Sequence, residues 1–288
     1  MIKHFEPPPK QYRTLLARTS CRRFDSAPLD ETALQSVHLA LDSVEPIQAE
    51  HRVKFLTLNE LEKSQLAVAQ GAYGRFIVSS HLMIPYTEKS SDSLIELGFQ
   101  SQQAVIKLEE MGLGSCYVGA HSRVRKLQQE FGLAETAHLA AVLIYGKPAP
   151  PQQKKHITQS LLGLTGNRTR KPVENLFIEP IPLDMHLPAE WEAILEGGRW
   201  APSATNAQPW RLLPIDGEFQ LFTNPAAYPI VLNAGSKLMY ALYDAGIFMA
   251  NILLAARAFG VQAHWTLQHQ TRVPNQKSLI PIARLSFS

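Results

Sequence analysis

The chain has 288 residues, 45% of them hydrophobic and 18% charged, with a formal net charge of +3 and a pI near 8.8. That length and apolar content allow a sizeable core and exclude global disorder. The basic excess is too small to argue for nucleic acid, and the two cysteines, Cys21 and Cys116, lack the spacing of a metal site or a disulfide framework.

Met1 to Pro9 has no apolar core and is expected to be an extended arm rather than a signal peptide. Tyr12 to Arg18 reads as a short helix with Leu15 and Leu16 turned inward. Pro28-Leu29-Asp30-Glu31 opens a second helix, with Ala33, Leu34, Val37 and Leu41 at helical spacing. Arg52 to Leu58 and Phe76 to Val78 are strand candidates. Leu94 to Met111 is a long amphipathic helix stopped by Gly112 and Gly114. A strand over Ser115–Val118, a short helix over Val124–Phe131 and a buried strand over Ala140–Tyr145 follow.

Pro148 to Lys171 is rich in Pro, Gln, Lys and Gly and reads as a long connection or lid. The second half predicts a helix over Glu190–Trp200, a loop bounded by Pro202 and Pro209, strands over Arg211–Ile215 and Phe219–Phe222, a helix over Leu238–Val261, and strands over Ala263–Leu267 and Ile282–Phe287. The apolar stretch at 238–261 could be mistaken for a membrane span. Its uninterrupted core, Ala245 to Ala250, is too short, and Asp244, Asn251 and Arg257 would be costly in lipid, so it predicts a buried helix and no membrane.

The two halves resemble each other. Glu96-Leu97-Gly98 aligns with Asp244-Ala245-Gly246, an offset of 148 residues, and at that offset Gly112 falls on Gly260 and Cys116-Tyr117-Val118 on His264-Trp265-Thr266. The helix–glycine–strand unit therefore occurs twice. We read the chain as α+β, two related copies sharing one core, the first over 10–172 and the second, shorter one over 173–288.

Four stretches could carry chemistry. Arg18, Arg22 and Arg23 cluster around Ser20, and Arg168-Thr169-Arg170-Lys171-Pro172 forms a second basic group. Guanidinium groups bind phosphate through paired, charge-assisted hydrogen bonds, although either cluster could also be a solvated charge run. Gly112-Leu113-Gly114-Ser115-Cys116-Tyr117-Val118-Gly119 is not a dinucleotide fingerprint, because its glycines follow a helix and Tyr117 stands where the third glycine should be. The fourth is Ala201-Pro202-Ser203-Ala204-Thr205-Asn206-Ala207-Gln208-Pro209-Trp210, a turn stiffened by two prolines. His121, His138 and His264 show no paired metal spacing and read as structural. Gly-x-Ser-x-Gly and Walker patterns are absent from the sequence, and no metal site or catalytic side chain is assigned.

In this order, Arg-x-Ser-x-Arg, the Gly-Leu-Gly segment, Arg-x-Arg-x-Pro and Pro-Ser-x-x-Asn-x-Gln-Pro-Trp resemble the motifs of the FMN-dependent nitroreductase family. Within it they fit the single-chain tandem branch of TM nitroreductases, in which one chain carries both halves of the usual dimer. The resemblance implies a nitroreductase-like pseudo-dimer with helices around mainly antiparallel sheets. It implies FMN as cofactor, with Arg18, Ser20, Arg22, Arg168 and Arg170 on the phosphate. Pro202, Ser203, Ala204 and Asn206 would contact the ribityl chain and ring, and Tyr117, Val118 and Gly119 would lie near the reactive nitrogen. Gln208 and Trp210 would shape the loop, with Trp210 buried.

The implied reaction is ping-pong, with NADH or NADPH reducing the flavin and a small-molecule acceptor, such as a nitroaromatic or quinone, reoxidising it. A flavin sensor or storage protein without turnover, and a degenerate protein that no longer binds FMN, are the alternatives. Where the family has its loop, the first copy reads Asp42 to Gln48, and Glu179 to Glu190 of the second copy contains no arginine. One flavin per chain and one vestigial site are therefore expected, in a cytoplasmic protein that is a monomer or pairs further.

Overall fold

The computed structural model describes residues 7–59, 62–71, 77, 79–88, 90–150, 169–270 and 278–288. Among these residues the helices are α1 (Lys10–Ala17), α2 (Glu31–Asp42), α3 (Lys63–Gln70), α4 (Ser93–Glu110), α5 (Val124–Glu130), α6 (Trp191–Arg199) and α7 (Ala234–Ala258). The strands are β1 (Lys54–Asn59), β2 (His81–Glu88), β3 (Gly114–Gly119), β4 (Ala137–His138), β5 (Ala141–Gly146), β6 (Trp210–Ile215), β7 (Glu218–Thr223), β8 (Ala263–Leu267) and β9 (Ile280–Phe287).

Local chemistry explains most boundaries. α2 starts where the Asp30 side chain accepts the Ala33 N–H at 2.8 Å, a cap worth about 1 kcal/mol. α4 ends at Gly112, whose φ of +74° lets the Leu113 N–H turn back to the Leu108 carbonyl at 2.9 Å. α7 ends the same way, 148 residues on: Gly260 has φ +74°, and the Val261 N–H returns to the Ala256 carbonyl at 2.9 Å.

Three described elements were not anticipated: α3, β4 and β2. β2 hides behind Pro85, which argues against an interior strand. Its position resolves the conflict. His81 to Met83 pair with β5 and Thr87 to Glu88 with β4, so the missing N–H falls in the gap between two partners. The strand expected at Phe76–Val78 lies outside the described residues except for Ile77, which is buried and not in a strand.

The first sheet runs β1-β2-β5-β3, with β4 pairing to the far end of β2, and the second runs β6-β7-β9-β8. All pairings between these strands are antiparallel. Matching β1, β2, β3 and β5 to β6, β7, β8 and β9 makes the two orders identical. In each copy a helix precedes the first strand (α2, α6) and the long helix (α4, α7) lies between the second and third.

The copies meet where α4 crosses α7. A Cβ on Gly98 would lie 1.9 Å from the Tyr243 carbonyl oxygen, and one on Gly246 would lie 2.0 Å from that of Ile95. Ile95 and Tyr243 are themselves 148 residues apart, so the contact is reciprocal, as across a two-fold axis. The aligned glycines are present because backbone meets backbone there.

By length and composition α7 could cross a membrane, but 78% of its most apolar window is buried inside the protein. Its core neighbours include Trp210, fully buried and stacked on Phe248 at 5.1 Å, while Trp191 stacks on Phe219 at 4.5 Å. α1 packs on the second copy: the Tyr12 hydroxyl donates to the Ala193 carbonyl, and Leu15 lies beside Gly197.

Candidate functional site

After α1 the chain runs along the open edge of β3. The Cys21 N–H donates to the Ser115 carbonyl at 2.8 Å, and Ser20 bridges Ser115 in parallel register. Gly114 permits this approach, since a Cβ there would lie 2.6 Å from that of Cys21. Arg18, Ser20 and Arg22 are thereby set against the beginning of β3. Arg18 is itself buried. Burial raises the Glu109 carboxyl and the Cys116 thiol, and the Arg18 charge opposes both shifts, as the Arg22 charge does at Cys116. Ser115, which the sequence did not single out, is 1% exposed, and among the described residues its Oγ has no hydrogen-bond partner beside this cationic segment.

Alternation along β3 sorts the next residues. Ala120 bonds to Ala140 on the β5 side, whereas the Ser115 carbonyl points to the opposite edge. Tyr117 and Gly119 follow Ser115 by two and four residues and direct their N–H groups to that open edge. The Gly119 carbonyl there accepts Arg123 Nη2 at 2.7 Å. Val118 pairs with Val142, and its side chain enters the apolar cluster on the far face. Of the three residues expected near a ring, two present backbone donors to the edge and Val118 supports them from behind. The Tyr117 hydroxyl donates to Gln102 at 2.9 Å, and its burial raises its pKa well above the usual phenol value.

The loop after α6 is held in an uncommon shape. Thr205, Asn206 and Gln208 have φ of 54°, 57° and 48°, a left-handed conformation that costs a non-glycine residue about 1 kcal/mol or more. Neighbouring bonds offset that cost. Ser203 Oγ accepts the Gln208 N–H at 2.9 Å. The Gln208 side chain accepts the Lys171 N–H at 2.8 Å, and Lys171 Nζ donates to the Ala207 and Gln208 carbonyls at 2.9 Å. Burial, then the nearby Arg211 charge, lowers Lys171 to about 8.

Arg170 Nη1 donates to Asn206 Oδ1 at 3.0 Å, and Asn206 Nδ2 donates to the Thr169 carbonyl at 3.1 Å. The late basic segment and the loop are therefore one unit, with Asn206 as a tie between them. Pro202, Ser203 and Ala204 are half-buried. Arg168 lies outside the described residues.

α7 joins this loop to the β3 edge through residues that sequence reading missed. The Tyr240 hydroxyl occupies the space beside Gly119, 2.1 Å from where a Cβ would be, and is 2.7 Å from His121 Nδ1. The glycine is thus required by tyrosine packing even before any ligand is considered. The Tyr228 ring lies 6.3 Å from that of Tyr240, and its hydroxyl donates to Asp244 Oδ2 at 2.6 Å. The same oxygen accepts the Ala204 N–H at 2.8 Å. Tyr243 stands edge-on to Tyr117 at 6.1 Å. The signal that could have found them is the i, i+3, i+4 spacing of Tyr240, Tyr243 and Asp244 on the helix that the repeat had already aligned.

The equivalent seam on the other side differs in kind. At the 148-residue offset Gly119 becomes Leu267, Tyr117 becomes Trp265 and Tyr240 corresponds to Asp92. The His121–Tyr240 pair becomes His269–Asp92, at 2.7 Å. A leucine stands where the glycine left room, and the arginines of the first seam have no counterpart in the 179–190 lead-in. Among the described residues, no group of three or more His, Cys, Asp or Glu is arranged to hold a metal.

Residues 10–225 match the family described as "Putative TM nitroreductase". Among solved structures, a nitroreductase-like protein from Thermotoga maritima, described as a putative nitroreductase, aligns over 99% of this chain and 96% of its own, at 19% identity and a TM-score of 0.59. A putative nitroreductase from Desulfovibrio desulfuricans in complex with FMN aligns over 62% of this chain and 100% of its own, at 16% identity and a TM-score of 0.49. A search of curated proteins returns no match. The first structural likeness concerns the fold alone, and it spans both copies. With three quarters of its length matched and two copies of one α+β unit joined at their long helices, the chain belongs to the TM nitroreductase family.

Proposed function

We propose that this protein is an FMN-dependent oxidoreductase that holds one flavin in the seam between the β3 edge and the 201–209 loop. Electrons come from NADH or NADPH and pass to a small organic acceptor such as a nitroaromatic or a quinone. The observation that carries this reading is the convergence of a cationic segment, an open strand edge and a strained loop from two different copies.

The residues fit the group. Arg18, Arg22 and Arg170 would supply the cations a phosphate monoester needs. Ser115 Oγ, beside Ser20, is a buried hydroxyl without a partner among the described residues, as a site built for an oxygen-rich ligand would leave. The Tyr117 and Gly119 N–H groups and the Pro202–Asn206 loop supply fixed dipoles for a ring and its polyol chain. When bound, the flavin supplies the redox chemistry, accepting electrons from a nicotinamide and releasing them to a second substrate in ping-pong order. The chain's own residues bind the phosphate, orient the ring and keep water from its buried side. Val118 backs the edge from the core, and Tyr240 packs against Gly119.

We place the boundary between copies at 172/173, immediately after the basic segment, with α1 as an arm of the first copy that packs on the second. Leu267 and the missing cations support a single flavin per chain, and a cytoplasmic monomer with an internal pseudo-dimer follows from this reading. Purified protein should be yellow with close to one FMN per chain, and anaerobic NADH or NADPH should bleach it. A colourless protein after FMN addition refutes flavin binding, two flavins per chain refute the single site, and a yellow protein that neither nucleotide bleaches is a storage or sensor protein.

A further inference from the structure

The seam contains a buried carboxylate for which flavin chemistry has no direct use. Asp244 is 2% exposed, and one of its oxygens takes both the Ala204 N–H, at 2.8 Å, and the Tyr228 hydroxyl, at 2.6 Å. Burial works against any charge it carries, so its retention calls for a reason.

The other copy supplies one. Glu96 stands at the aligned position on α4, is fully buried, and accepts the N–H groups of Ile47 at 3.2 Å and Gln48 at 2.8 Å, with Gln100 Nε2 at 2.8 Å. Both loops follow the helix that precedes the first strand of their copy, yet their sequences, Pro46-Ile47-Gln48 and Pro202-Ser203-Ala204, share only the proline. Two different loops are thus held by a carboxylate at one helical position. In each case the anchoring helix and the loop belong to the same copy.

We propose that Asp244 is the positioning residue of the cofactor loop, fixing the Ala204 amide so that Thr205, Asn206 and Gln208 keep the left-handed shape that meets the ligand. Glu96 is its counterpart on a loop that has no ligand to meet. The inference rests on the proposed flavin seam for its functional consequence, whereas the anchoring itself is a property of the unliganded chain. An asparagine at 244 retains an oxygen able to accept both donors, and an alanine retains none.

The test compares Asp244→Ala, Asp244→Asn, Tyr228→Phe and Glu96→Ala by FMN titration, thermal melting and hydrogen exchange at the Ala204 amide. Asp244→Ala should weaken FMN binding at least tenfold and speed Ala204 exchange. Asp244→Asn should bind within about threefold of wild type, and Tyr228→Phe should fall between the two. Glu96→Ala should lower the melting temperature while leaving FMN affinity within twofold.

Equal FMN affinity and equal Ala204 exchange in folded Asp244→Ala overturn the proposal. So does a loss of affinity in Glu96→Ala as large as that in Asp244→Ala. Should Asp244→Ala not fold, Tyr228→Phe decides by the same two readouts. Wild-type protein that binds no FMN refutes the flavin reading alone, and Ala204 exchange in the unliganded variants then decides the anchor.

Discussion

Replacing Gly98 with alanine tests the joint between the two copies. The new Cβ would sit 1.9 Å from the Tyr243 carbonyl oxygen, 2.8 Å from its carbon and 3.2 Å from the Ile247 nitrogen. Ordinary contacts of this kind need about 3.4 Å or more, so α7 must retreat by more than 1 Å or α4 must bend. The obstructing atoms are backbone inside a hydrogen-bonded helix and cannot swing aside. We therefore expect a loss near the upper end of overpacking effects, about 3 kcal/mol, or a drop of about 6–12 °C in melting temperature. Gly246→Ala should cost the same, because its Cβ meets the Ile95 carbonyl at 2.0 Å. The same separation of the helices relieves both clashes, so the double variant should fall short of additivity by at least about 1 kcal/mol. Gly112→Ala is the control: with φ +74° and, among the described residues beyond its chain neighbours, no atom within 4 Å of its Cβ position, it should cost about 1 kcal/mol, the backbone term alone. Urea or thermal unfolding of the four variants decides the matter. A Gly98→Ala cost below 1 kcal/mol, or full additivity with Gly246→Ala, would refute the close crossing.

Other predictions concern the seam. Arg22→Ala should weaken FMN binding by the roughly 1.5–3 kcal/mol of a charged hydrogen bond, seen as a tenfold or greater rise in Kd; an unchanged Kd removes Arg22 from the phosphate site. Gly119→Ala places a Cβ 2.1 Å from the Tyr240 hydroxyl, the movable end of a side chain, so it should cost about 1–2 kcal/mol in unfolding experiments. Tyr240→Phe in the same chain should recover part of that loss, and a double variant no better than Gly119→Ala contradicts the contact. Burial raises Asp244 to about 7 from the usual 3.8, despite the opposing bonds from Tyr228 and Ala204. A raised carboxyl adds stability in its protonated form. That contribution is full below about pH 4 and is lost as pH rises through about 7. Between pH 5.5 and 8 it should change stability by about 2 kcal/mol, and equal pH slopes for wild type and Asp244→Asn in urea melts would exclude it.

Much of the fold is legible because its signals are local. Helical spacing of apolar residues marks α2, α4 and α7, and the glycines at 112 and 260 mark where the long helices stop. β2 was not legible, since Pro85 contradicts a strand unless one knows that its neighbours change partner at that residue. The proposed site residues divide in the same way. Arg18, Ser20, Arg22, Tyr117, Gly119, Asn206 and Arg170 could be picked from short patterns. That Asn206 would bond to Arg170, or that Val118 would face the core while its neighbours face the edge, depends on pairings the patterns do not contain.

That the chain is a tandem of two α+β copies with one complete set of motifs is written in the order of amino acids, in the 148-residue repeat and in the residues missing from its second copy. Which residues complete the proposed seam emerges from contacts made on folding. Asp244 reaches Ala204 across 40 residues, Tyr240 reaches His121 across 119, and Gly98 meets α7. Those contacts arise from how helices, sheets and loops pack against one another, and such packing is not encoded in any local pattern.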